Sequence, residues 1–170
     1  MIQQVLVSFF CADQPGRVER LSELFAARDG SWRESQLSRL GGRFAGVILL
    51  QLPQEQLPAL RRDLAGLAQE GITAQLASAD ADAASARDER RITLVGPDRA
   101  GIVRELTHAL RASGCNLLTM ETRLESAPMS GEPLFHASCT VELLENCRVE
   151  ALEAELEAIA ERMTLHIDLA

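Results

Sequence analysis

Asp13-Gln-Pro-Gly-Arg-Val-Glu-Arg-Leu21 and Asp98-Arg-Ala-Gly-Ile-Val-Arg-Glu-Leu106 carry Asp, Gly, Val and Leu at the same four places, 85 residues apart. Ala27 and Ala112 extend the match at the same offset. Because 85 is half of the 170 residues, the chain reads as two copies of one supersecondary unit.

Each motif follows a short apolar stretch, Val5–Cys11 in the first copy and Ile92–Gly96 in the second, which reads as a strand. After it, Val18, Leu21, Leu24 and Phe25, and likewise Ile102, Val103, Leu106, Ala109 and Leu110, recur at helical spacing. Gly30 and Gly114 stand where these helices would end. In the second copy Leu118, Met120, Thr122 and Leu124 alternate with polar residues, and so do Phe135, Ala137, Cys139, Val141 and Leu143. Period two predicts a pair of strands, here joined by the Ser126–Pro133 loop. Asn146 then takes the place of an N-cap before a helix with Val149, Leu152, Leu156, Ile159 and Met163 on one face, and Leu165, Ile167 and Leu169 close the unit as a strand. The first copy repeats the order with Trp32–Leu40, a tight Gly41-Gly42 turn, Phe44–Leu52, a helix through Leu57, Leu60, Leu64 and Leu67, and Ile72–Leu76.

The expected fold is therefore α+β: two tandem ferredoxin-like βαββαβ units, each an antiparallel sheet with its helices on one face. The first unit is expected over residues 1–78 and the second over 89–170. The small and polar stretch 79–88 between them reads as a linker. Units of this size bury little, so packing between copies is expected to add stability.

Composition narrows the function classes. All seventeen basic residues are arginine, and twenty-five acids leave a formal charge of −8. Divided after Ser85, eight arginines face ten acids (−2) and nine face fifteen (−6). Neither half offers a basic face for phosphate, and five Phe, one Trp and no Tyr give little surface for stacking bases, so direct nucleic-acid binding is not expected. The four cysteines form no C-x-x-C pair and the three histidines are scattered, which argues against a metal centre or a bound cofactor. No nucleophile-and-base motif marks a catalytic residue. No apolar run is long enough to cross a membrane, and a cytoplasmic protein with reduced thiols is expected.

The repeated turn is what remains. Two readings are open. In one, Asp13 and Asp98 are N-cap carboxylates and Gly16 and Gly101 allow close packing. In the other, the amides at the helix start hold a ligand carboxylate while Asp98 receives an ammonium group.

Tandem βαββαβ units with these turns resemble ACT domains, small regulatory modules that sense amino acids. The two-unit organisation, Gly96-Pro-Asp-Arg-Ala-Gly-Ile-Val103, Gly114-Cys-Asn116 and the Ala127–Phe135 hairpin resemble the glycine cleavage system transcriptional repressor family along essentially the whole chain. The resemblance implies a ligand at an interface between two domains, held by the β1–α1 turn and by an Asn at the start of the second strand. It carries over to Asp98, Arg99, Ala100, Gly101, Ile102 and Asn116 in the second copy. In the first copy it carries over to Asp13 and Gly16, with Ser31 at the Asn position. Asn116 is also readable as a strand-start turn residue; as a ligand group it would be a buried amide gripping both ends of a zwitterion.

The implied function is regulation without catalysis. A small amino acid, glycine or serine, would be coupled to a partner transcription regulator, with a homodimer as the default assembly. The alternative is a stand-alone allosteric ACT subunit of a metabolic enzyme, similar to the ACT portion of formyltetrahydrofolate deformylase. The protein that co-purifies, regulator or enzyme, separates the two.

Overall fold

The computed structural model describes residues 1–79, 88–128 and 131–170. These form, in order, β1 (Ile2–Ala12), α1 (Arg17–Ala26), β2 (Ser31–Leu40), β3 (Arg43–Pro53), α2 (Leu57–Gly66), β4 (Ile72–Ser78), β5 (Asp88–Pro97), α3 (Ile102–Ala112), β6 (Cys115–Ser126), β7 (Pro133–Leu143), α4 (Val149–Met163) and β8 (His166–Leu169). Two compact units divide the chain, Met1–Asp82 and Ala83–Ala170. Of the expected linker, residues 80–87 lie outside the described residues, as do Met129 and Ser130 of the second hairpin.

Each unit is a βαββαβ fold with an antiparallel four-stranded sheet, ordered β2-β3-β1-β4 in the first and β6-β7-β5-β8 in the second. The alternation along β1 turns Val5, Val7, Phe9 and Cys11 to one face, where they meet Ile48, Leu50 and Leu52 of β3. Leu21, Leu24 and Phe25 of α1 and Leu60 and Leu64 of α2 close over the same face. In the second unit Ile92, Cys139 and Val141 lie beneath Leu106 and Leu110 of α3 and Leu152 and Leu156 of α4. Each such leucine contributes roughly 1.5–3 kcal/mol by leaving water. Both members of the motif's leucine pair, Leu21 and Leu106, are fully buried, so this identity is explained by the core.

Three local expectations need correction. Both units carry a β-bulge at the same repeat position, where the register skips Arg33 between Trp32 and Glu34, and Leu118 between Leu117 and Thr119. Leu117, opposite the buried Val141, therefore takes the helix-facing row that the simple alternation gave to Leu118. The N-cap of α4 is Arg148, not Asn146, whose Oδ1 lies beside Gly114 instead. The first helix turns back through Asp29, at φ 52°, the residue aligned with Gly114, whereas Gly30 is fixed by crowding: a Cβ there would sit 2.8 Å from the Phe25 carbonyl oxygen.

The faces away from the helices differ between the units. In the first, Phe10 and Val47 are exposed on it, with the Arg43 guanidinium 5.8 Å from the Phe10 ring centre. In the second, Thr93, Arg123, His136, Ser138, His166 and Asp168 border a hollow of about 200 Å³.

Candidate functional site

The two repeated turns are built alike. The Asp13 amide donates to the Gly42 carbonyl and the Asp98 amide to the Pro133 carbonyl, each at 3.1 Å, so each turn is tied to the hairpin beside it. Gly16 and Gly101 follow at φ 84° and 97° as the N-cap residues of α1 and α3. Their carbonyls accept the first helical hydrogen bonds, from Arg20 and Glu105, each at 2.9 Å.

Both parts of the capping reading fail on this geometry. Neither helix has a side-chain cap, so the aspartates do not serve as N-caps. The glycines are not tightly packed either: a Cβ on Gly16 would meet nothing within 4 Å, and one on Gly101 only Arg104 Nη2 at 3.9 Å. It is the left-handed backbone that calls for glycine, since any other residue there costs roughly 1–2 kcal/mol. The amides of Arg17, Val18 and Glu19, and of Ile102, Val103 and Arg104, thus precede the first helical bond at the positive end of each helix.

The motif's valines point the same way. Val18 and Val103 are 40% and 41% exposed, so the core does not account for their identity. Val18 instead lines a shallow hollow of about 330 Å³ together with Asp13, Gln14, Gly16 and Phe44.

The charges around the two turns differ. Asp13 accepts a hydrogen bond from Arg39 Nη1 at 3.2 Å. Arg39 corresponds to Leu124 in the second copy, and the Asp98 carboxylate has no ion pair or side-chain hydrogen bond among the described residues. Arg17 donates to Gln14 Oε1 at 2.5 Å and to the Glu70 carbonyl at 3.0 Å. Arg20 grips the Glu70 carboxylate with bonds of 2.8 and 2.7 Å, which hold that carboxyl below its ordinary range. In the second unit Arg104 and Arg162 reach Glu105 at 3.0 and 2.7 Å, and the bond from Arg104 is the main cause of its lowered pKa.

Asp98, Arg99 and Ala100 are exposed in the turn, while the Ile102 side chain is buried and leaves only its amide to a ligand. Asn116 is exposed at the start of β6, with Nδ2 3.4 Å from Glu142 Oε2, and so is not the buried amide expected. Ser31 is likewise exposed at the start of β2. A single unit does not bring these residues to their turn. Asn116 pairs through Glu142 with Glu89, nine residues from Asp98, and Ser31 through Gln51 with Gln4, nine residues from Asp13. That is about 30 Å of strand.

Arg39 is the site residue that sequence reasoning missed. Only the strand register could have found it, through Arg39 opposite Phe44 and Phe44 opposite Cys11. Among the described residues no cluster of His, Cys, Asp or Glu could hold a metal ion, and no helix is long and apolar enough to cross a membrane. The acids Glu150, Glu153, Glu155, Glu157 and Glu161 are exposed on α4.

The family model for the ACT domain matches residues 3–81 and 91–126. A crystal structure of an unknown protein from Galdieria sulphuraria superposes with a TM-score of 0.88 at 25% identity, covering 99% of this chain and 98% of that one. A second, of a candidate glycine cleavage system transcriptional repressor, superposes with a TM-score of 0.71 at 13% identity, covering 100% of this chain and 97% of that one, a likeness of fold. No curated protein matches the sequence.

Proposed function

The chain belongs to the ACT domain family, with two tandem ferredoxin-like units, and from that premise we propose that it is an amino-acid-responsive regulatory protein. It acts through protein contact, as a repressor-type regulator of glycine cleavage gene expression. The observation that carries the ligand site is the Asp98 carboxylate, without an ion pair among the described residues and beside the uncapped start of α3.

A free amino acid is a zwitterion, and the turn offers a partner for each end. Its carboxylate suits the amides of Ile102, Val103 and Arg104 at the positive helix end. Its ammonium suits Asp98, a charge-assisted bond being stronger than a neutral one. Arg99, Ala100 and Gly101 bring backbone close to the ligand, and a small side chain such as that of glycine or serine fits so tight a turn. The first site is the weaker, because Arg39 already occupies Asp13 and Ser31 reaches less far than Asn116.

Since Asn116 and the Asp98 turn are at opposite ends of one sheet, a ligand held by both needs two copies of the unit, which a homodimer supplies. Ligand binding then favours one assembly, and a partner that reads that assembly responds to the ligand. The acidic second half, at −6, suits a basic protein partner in the transcription machinery. Calorimetric titration of the full chain with glycine and serine is the test of the ligand: a saturable heat with at least one of them supports the reading, and none with either overturns it.

A further inference from the structure

Cys115 opens β6 and Cys147 lies in the loop before α4, 32 residues later, yet their sulfur atoms are 3.3 Å apart and share a hydrogen bond. The backbone holds them there. The Leu144 amide donates to the Gly114 carbonyl at 3.2 Å, the Arg148 amide to the Ser113 carbonyl at 3.1 Å, and the Cys147 amide to the Leu144 carbonyl at 2.8 Å. Gly114, at φ 78°, lets the two segments approach so closely that a Cβ there would lie 3.3 Å from the Cys147 Cα. The thiol contact is therefore set by packed main chain on both sides rather than by one side-chain rotamer.

Accessibility divides the cysteines. Cys11 and Cys139 are buried in the two cores, Cys115 is 8% exposed, and Cys147 is partly open to solvent. One partly exposed cysteine backed by a buried one at sulfur-to-sulfur contact distance is the layout of an attacking and a resolving thiol. We propose that Cys115 and Cys147 are a reversible redox pair, closed to a disulfide by a hydroperoxide and reopened by a dithiol reductant.

In the first step the Cys147 sulfur attacks the peroxide, the O–O bond breaks, and a Cys147 sulfenic acid and one water form. In the second, the Cys115 sulfur attacks that sulfenic sulfur, the S–O bond breaks, the S–S bond forms and a second water leaves. Two thiols have lost two electrons and two protons to one hydrogen peroxide. Burial, followed by the hydrogen bond with Cys147, pushes the Cys115 thiol up to about 12, so it is protonated at neutral pH and gives up its proton as it attacks the sulfenic sulfur. The disulfide would lock the start of β6, where Asn116 follows directly, to the loop that leads into α4.

The test is to treat the reduced full-length protein with hydrogen peroxide and map its peptides without reduction. The expected product is a Cys115–Cys147 cross-linked peptide, with two of the four thiols lost to a thiol reagent in denaturant and both restored by dithiothreitol. The melting temperature should rise by roughly 5 °C or more, because the link shortens the unfolded chain. Cys147→Ser, at the more open position, should keep its three thiols under the same dose. Cys115→Ser, if it folds, should leave a Cys147 sulfenic acid that dimedone captures. Survival of all four thiols in the unaltered protein, a link through Cys11 or Cys139, or a disulfide only between chains would each overturn the proposal.

Discussion

Asp13 and Asp98 hold the same place in the repeat and make the same backbone contact, but among the described residues only the first meets an arginine, because Leu124 stands where Arg39 would be. The Arg39–Asp13 pair is exposed and contributes little to stability, about 0–1 kcal/mol. Its effect is on binding, since a ligand ammonium at Asp13 must first displace a guanidinium. Asp98→Ala is accordingly expected to weaken binding of the preferred amino acid at least about tenfold, the loss of one charge-assisted hydrogen bond. Asp13→Ala should cost less, and Asn116→Ala should cost more than Ser31→Ala; titration of the four variants measures the ranking, and equal effects in each pair would show that the copies do not differ. The aspartates and glycines of the turn were legible because the chain spells them twice. Arg39 was not, because it joins Asp13 only through the pairing of strands 26 residues apart. Asn116 was legible as a polar residue at a strand start, but its exposure depends on where the sheet ends.

At the scale of the elements, short apolar runs, the periods of 2 and 3.6 residues and the repeat together were enough to read all eight strands and the four α-helices of the described residues. The bulges escaped because an inserted residue leaves a plausible alternation behind it: Leu118, Met120, Thr122 and Leu124 look like one face, although the register puts Leu117 on that face with the last three. Asn146 looked like an N-cap on residue type alone, but it stands two residues ahead of the cap, with its Oδ1 beside Gly114. The ends of α2 and α4 differ in the same way. The link from α2 to β4 turns through Gly71 at φ 75°, whereas α4 ends in Thr164 at φ 58°. A threonine pays for the left-handed conformation there, so Thr164→Gly should stabilise the second unit by about 0.5–1 kcal/mol, less what glycine loses in the unfolded chain. Chemical denaturation would measure it, and a destabilised variant would show that the threonine side chain makes a contribution larger than its strain.

For the whole molecule, the offset of 85 has become two βαββαβ units with the same bulge, the same turn and the same buried leucine. The sheet faces away from the helices have diverged, with Phe10 and Val47 exposed on the first and Arg123, His136 and Asp168 bordering a hollow on the second. Composition could not disclose this divergence, because it depends on which residues of each strand turn from the helices. The separation of Asn116 from the Asp98 turn bears on assembly: if both contact one ligand, the chain should sediment as a dimer at micromolar concentration, and a monomer mass with ligand present would rule out that shared site. The central claim is that the chain binds a small amino acid at the second repeat's turn. Isothermal titration of the full chain with glycine and with serine tests it most directly. The account predicts a saturable heat for at least one of them that Asp98→Ala weakens or abolishes; no heat with either, or an unchanged affinity in Asp98→Ala, would contradict it.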